Sequence, residues 1–154
     1  MADLSLSDYR ALGAFRHQIQ RFLHFSEAAA KFEGLEPQQH QMLLAIRASE
    51  QPGGPTVGHL ADRLLIRHHS AVGMIDRLEA RRLVERVRGD GDRRQVRVHL
   101  TSEGEEKLKR LSSVHRAELR KSGPILVDAL SALLQNLSKR PQKKKKKKKE
   151  EDVS

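Results

Sequence analysis

The side chains of this 154-residue chain that could do chemistry are eight histidines, an arginine-rich middle third and a scattering of acids, with no cysteine among them. Without a thiol the chain has no disulfide staple, no cysteine-ligated zinc or iron–sulfur site, no thiol nucleophile and no thiol redox sensor. The histidines do not assemble into a metal site. His17 and His24 fall seven apart on the outermost stripe of a helical segment, with Arg10 and Lys31, and read as solvated. His68 and His69 are adjacent, so they point to different sides of a helix and cannot chelate as an i, i+4 pair would. His115 occupies an apolar helical position and reads as a core or interface histidine. Ser, His and Asp are present, but no nucleophile elbow, phosphate loop or paired-carboxylate pattern sits on a suitable element. The expectation is neither an enzyme nor a metalloprotein, with no cofactor.

Charge points to a different chemistry. The chain carries 30 basic residues against 20 acidic ones, a formal net charge of +10. Residues 56–101 hold ten arginines against six acids, behind a nearly neutral stretch and ahead of a moderately basic one. Arginine makes bidentate contacts with phosphate oxygens and guanine edges more readily than lysine does, so the expected partner is a polyanion. One Tyr, four Phe and no Trp disfavour an RNA module built on exposed rings that stack on bases. Residues 143–149 are seven lysines, followed by Glu150, Glu151 and Asp152. Residues 141–154 have nothing to bury and read as a disordered Lys-rich tail that adds nonspecific attraction for DNA. The longest strictly apolar run is residues 42–46, and the first ten residues lack a basic segment leading into an apolar one. Neither secretion nor membrane spanning is expected.

The elements that must position these charges follow from hydrophobic period. Leu12, Phe15, Ile19, Phe22, Ser26 and Ala29 recur as the stripe of a long amphipathic helix over residues 7–32, ended by Gly34. Pro37 suits the first turn of a second helix whose apolar face is Met42, Leu43 and Ile46. Residues 51–55 form a loop, and Thr56 can cap a third helix carrying Val57, Leu60, Ala61 and Leu64 on one stripe. After a short turn at Leu65 and Ile66 the same template returns as Ala71, Met74, Ile75 and Leu78. Beyond Leu83 the period changes to two, and Val84 to Arg88 and Val96 to Leu100 alternate on either side of a Gly-Asp turn. Ser102 and Glu105 have the spacing of a capping box opening a helix with Leu108, Leu111, His115 and Leu119. Gly123-Pro124 is expected to break that helix, leaving Leu126, Ala129, Leu130, Leu133 and Leu137 to a last one.

Two short, tightly joined helices followed by a two-stranded hairpin are the order of a winged helix-turn-helix. An exposed helix face fits the major groove, while the arginine-bearing hairpin lies along the backbone or enters the neighbouring minor groove. Leu60-Ala61-Asp62-Arg63-Leu64, then Asp76-Arg77-Leu78-Glu79, Leu83-Val84-Glu85-Arg86, Asp92-Arg93-Arg94 and Leu100-Thr101-Ser102-Glu103-Gly104 resemble the multiple-antibiotic-resistance regulator (MarR) family. In detail the resemblance covers residues 56–108; the flanking helices match in order, length and amphipathicity.

The resemblance implies a mainly α fold with a small β-hairpin wing, in which N- and C-terminal helices form a dimerisation region. Residues 1–140 would be one protomer, with residues 7–50 and 102–139 supplying dimerisation and support helices and residues 56–101 the DNA-binding lobe. The apolar stripes of the first and last helices have no place inside a single winged lobe, which agrees with a two-fold partner. With Ala71, Met74, Ile75 and Leu78 facing the core, Arg67, His68, His69, Ser70, Val72, Gly73 and Arg77 are left for the groove. The family usually presents a more polar set here, often with an arginine near Gly73. Val72 and Gly73 depart from it, toward thymine-methyl contact or shape reading. In the wing, Asp92 would orient Arg94 for the minor groove, Arg93 would take a phosphate, Arg88 would join them, and Asp76 would hold a wing arginine. The resemblance further implies a cytoplasmic, bacterial or archaeal repressor released by a small aromatic or phenolic effector, for which Phe15, Arg16, Phe22 and His40 are candidates. The partners are therefore double-stranded DNA, a second copy of the chain and that effector, with no membrane. The rival reading is a winged-helix module for RNA or protein contacts, without operator specificity.

Overall fold

The computed structural model describes residues 3–89 and 94–138. The Asp92 and Arg93 assignments and the lysine run lie outside them. The first helix, α1 (Leu6–Phe32), starts where Ser5 and Asp8 cap each other: Asp8 N–H donates to the Ser5 hydroxyl at 3.2 Å and Ser5 N–H to the Asp8 carboxylate at 2.8 Å. It ends at Gly34, whose φ of 71° is a conformation that glycine adopts without a Cβ clash. Pro37 opens α2 (Pro37–Arg47), and the Thr56 hydroxyl caps α3 (Val57–Leu64) by accepting the His59 N–H at 3.2 Å. Leu65 turns the chain in the left-handed region and Ile66 N–H returns to the Ala61 carbonyl at 3.0 Å, which closes the turn into α4 (His68–Ala80).

Strands β1 (Val84–Arg88) and β2 (Val96–Leu100) pair antiparallel, with Val84 opposite Leu100, Arg86 opposite Val98 and Arg88 opposite Val96. Period two therefore turns Val84 and Val98 inward, both buried, into a core that also holds Met42, Leu43, Leu60, Ile75, Leu78 and Leu111. Among the described residues, α3, α4 and the hairpin follow one another in the winged helix-turn-helix order that periodicity predicts.

Two local expectations are corrected. Gly123-Pro124 does not break the C-terminal segment: α5 (Ser102–Ser138) is one helix with Pro124 inside it. Proline removes one ladder hydrogen bond and crowds the carbonyl four residues back. Both halves of α5 are nevertheless held along α1, by His115 against Ser26 at 2.8 Å on one side and by Asn136 donating to the Ser7 carbonyl at 3.2 Å on the other. Tertiary packing on both sides of the proline outweighs a local preference that would win in an isolated helix. The N-terminal cap of α5 is also one residue earlier than the capping-box spacing suggests. Thr101 accepts the Gly104 N–H at 3.1 Å and donates to the Arg82 carbonyl at 2.6 Å, so a single hydroxyl caps α5 and ties it to the end of α4.

The apolar stripes of α1 and α5 are only partly used within the chain: Leu12, Leu130, Leu134 and Leu137 remain exposed. At the other end of α5, Gly104 packs directly on the backbone, and a Cβ there would fall within 2.0 Å of the Leu83 carbonyl oxygen. Replacing Gly104 by Ala is expected to push α5 off the base of the hairpin and cost about 3 kcal/mol or more in urea unfolding. An alanine variant as stable as the wild type would show that this approach is not tight.

Candidate nucleic-acid interface

Helix α4 sorts its residues as a wheel requires. Ala71, Met74, Ile75 and Leu78 are each at most 3% exposed, and at about 100° per residue that leaves the opposite face to solvent. Arg67, His68, His69, Ser70 and Arg77 are exposed, whereas Val72 and Gly73 are partly covered at the edge of the face. The Arg77 side chain lies back over Gly73, its Nη1 within 3.5 Å of where a Cβ would stand. Arg67 is the N-terminal cap and supplies no side-chain cap. The first-turn N–H groups and the positive end of the helix dipole thus lie amid exposed Arg67, His68 and His69, an arrangement suited to an anion.

The wing is clamped on both sides. Arg86 of β1 reaches back to α4, with Nη2 on the Asp76 carboxylate at 2.6 Å and Nη1 on the Glu79 carboxylate at 3.0 Å, while Glu79 also accepts the Arg86 N–H at 3.0 Å. Asp76 therefore does hold an arginine of the hairpin, and that arginine is Arg86, which the sequence reading left out of the site. The signal was available: Arg86 shares a strand face with Arg88 and follows Asp76 and Glu79 by ten and seven residues. On the other side Arg97 donates to the Gly54 carbonyl at 3.0 Å and His99 Nε2 to the Gly53 carbonyl at 2.7 Å. Gly54, with φ of 97°, leaves no room for a Cβ beneath the His99 ring. Arg88 and Arg94 are exposed at the hairpin end farther from the core.

Arginines of the middle third thus divide into two groups. Arg86 and Arg97 spend their guanidinium groups on acceptors of the lobe and of the loop that leads into it, and Arg81 spends its own on the α1–α2 turn, donating to the Gly34 carbonyl at 2.7 Å and to Gln39 Oε1 at 3.2 Å. Arg63, Arg67, Arg77, Arg82 and Arg88 are exposed.

The four effector candidates are not brought to one place. Phe22 lines a groove of about 650 Å³ between α1 and α5, together with Phe25, Leu119 and Leu126. Phe15, Arg16 and His40 do not line it. His40 is 3% exposed, its ring centroid 4.9 Å from that of His115, and its Nδ1 is buried without a hydrogen-bond partner. His115 in turn donates from Nδ1 to the Leu111 carbonyl at 2.7 Å and accepts the Ser26 hydroxyl at Nε2. Among the described residues no group of three or more His, Asp or Glu side chains could hold a metal ion, and no helix is long and apolar enough to cross a membrane.

Comparison with known proteins places this geometry. A model of the MarR family matches residues 33–95. The uncharacterised HTH-type transcriptional regulator YsmB of Bacillus subtilis is 35% identical over 68 residues, which are 44% of this chain and 47% of that protein. The matched segment therefore spans about half the length of that curated relative. Among solved structures, AbsC, a MarR family transcriptional regulator from Streptomyces coelicolor, aligns with a TM-score of 0.70 at 22% identity, covering 90% of this chain and 94% of that one. The transcriptional repressor CouR, bound to a 23-mer DNA duplex, aligns at 0.64 and 27% identity, covering 90% of this chain and all of that one.

Buried His40, with His115 against it, makes a prediction of its own. Burial, and then the neighbouring His115, lower the His40 pKa to about 4 from the ordinary 6.5. The neutral ring is favoured by folding, so its contribution is complete above pH 6.5 and is lost as pH falls from there to about 4. A shift of that size corresponds to about 3 kcal/mol. Urea unfolding between pH 7.5 and 4.5 should show a steeper loss for the wild type than for His40→Leu; parallel curves would remove His40 from the cause.

Proposed function

We propose that the chain, whose residues 33–95 match a model of the MarR family, is a DNA-binding transcriptional regulator of that family, working as a homodimeric repressor in a bacterial or archaeal cytoplasm. The observation that carries this reading is the outward face of α4, where Arg67, His68, His69, Ser70 and Arg77 stand exposed beside a hairpin whose direction is fixed on two sides. In this reading the N-terminal half of α4 enters the major groove and meets base edges, while Arg88 and Arg94, with Arg93 and Asp92 beyond the described residues, follow the backbone into the next minor groove. Val72 and Gly73, at the edge of the face, contribute contact and shape more than hydrogen bonds. The similarity to CouR, a transcriptional repressor bound to a 23-mer DNA duplex, supports duplex DNA as the partner.

The exposed leucines of α1 and α5 support a second copy as the partner, because a two-fold pairing buries both stripes at once. Two recognition helices would then lie about 34–36 Å apart and select a pseudo-palindromic operator. A small aromatic or phenolic acid preferring another lobe spacing would release the operator by that preference alone. The groove beside Phe22 and Phe25 supports such a ligand.

Selection from random duplex DNA should return a two-fold site, and light scattering at micromolar concentration should give a dimer. Winners with no common site, or a monomer, would contradict the proposal. Replacing Arg94 by Ala should weaken duplex binding and shallow the dependence of log K on log salt by about one unit; an unchanged slope would take Arg94 off the phosphate backbone. His69→Ala and Ser70→Ala should instead relax discrimination between operator variants with the slope intact.

A further inference from the structure

The turn between α1 and α2 gathers cations from two distant parts of the chain. Glu33, which ends α1, is gripped by α5: Arg110 donates to its carboxylate from Nε at 3.1 Å and from Nη2 at 3.0 Å, and Lys107 donates to its carbonyl at 2.6 Å. Its side chain is only 16% exposed. The Arg110 hydrogen bonds lower the Glu33 pKa, so the carboxylate is charged at neutral pH. One residue further on, the Gly34 carbonyl accepts Arg81 Nη2 at 2.7 Å, and Arg81 Nη1 reaches Gln39 Oε1, which also accepts the Glu36 N–H that begins α2.

Arg81 is the residue that ends α4. Its guanidinium therefore joins the C-terminal end of the helix that presents Arg67 to Arg77 to the Gly34 carbonyl at the negative end of α1, where a cation is favoured, and to the Gln39 side chain in the first turn of α2. Two donors of one planar fork, each on a different acceptor, fix direction as well as distance. Lys107 and Arg110 pin the same turn to α5, which packs along α1. The lobe and the long helices are thus fastened at the α1–α2 turn, on the opposite end of α4 from His68 and His69, in addition to the tie between Thr101 and Arg82.

We propose that Arg81 and Glu33 are positioning residues: they form the joint that sets where α4 stands relative to α1 and α5, without themselves touching nucleic acid. The proposal rests on the reading of α4 as the DNA-facing helix.

The chain has no cysteine, so two spin labels can be introduced cleanly, at Glu27→Cys on α1 and Asp62→Cys on α3, both exposed. Labelled full-length protein is diluted into unlabelled protein and the intramolecular distance distribution recorded. Arg81→Ala and Glu33→Gln should each broaden that distribution while far-UV circular dichroism stays at wild-type strength. In unlabelled protein each should lower affinity for the selected duplex by about fivefold or more, with the salt slope unchanged. A distance distribution as narrow as the wild type's in both variants would overturn the joint. A slope shallower by about one unit in Arg81→Ala would make Arg81 a phosphate contact and also overturn it. Broadening in a protein that binds no duplex at all would leave the joint standing and sink the DNA reading instead.

Discussion

The outward chemistry of this protein depends on the burial of one narrow stripe of α4. Ala71, Met74, Ile75 and Leu78 are packed among Leu60, Ala61, Val84 and Val98, and each of the larger three gains about 1.5–3 kcal/mol from leaving water. Turning the helix by one residue would rotate that stripe by about 100° and expose it. The orientation is therefore fixed by apolar packing, and the exposed position of Arg67, His68, His69 and Ser70 follows without any interaction among themselves. The same burial seats Val84 and Val98, which brings the hairpin beside the helix.

Within that frame, charge is divided between construction and recognition. A formal +10 suggests a uniformly cationic molecule, yet Arg81, Arg86 and Arg97 are engaged by carbonyls, an amide and carboxylates of the chain itself. Each is partly exposed, so its worth lies in geometry more than in stability. Arg86 holds β1 to α4, Arg97 holds β2 to the loop before α3, and Arg81 holds α4 to the α1–α2 turn. The exposed Arg63, Arg67, Arg77, Arg82 and Arg88 are carried by elements that the engaged arginines orient, and in the proposed reading arginines of this exposed set meet the phosphate backbone.

Much of this was legible in the sequence because it is local. Apolar period, the Thr56 cap, Pro37 and Gly34 mark helix ends by rules that act within a few residues, and the change of period after Leu83 marks the hairpin. Pro124 misled because the local rule was sound and the deciding forces were not local: α5 runs on because α1 holds it at His115 and at Asn136. Thr101 displaced Ser102 as the cap for a similar reason, its hydroxyl being shared with Arg82. The pairings of Arg81 with Gly34 and of Arg110 with Glu33 join positions 47 and 77 residues apart, and no spacing pattern in one sequence announces them. The effector candidates failed to converge because a stripe on one helix does not say which of its members meets a cavity.

Amide hydrogen exchange with and without a short duplex bearing the selected site tests the central claim most directly. Slowed exchange confined to residues 67–77 and to the hairpin strands 84–88 and 96–100, with α1 unaffected along its length, is the result expected. Protection centred on α1 or α5, with α4 exchanging as fast as in the free protein, would show that the exposed face of α4 is not the surface that meets DNA.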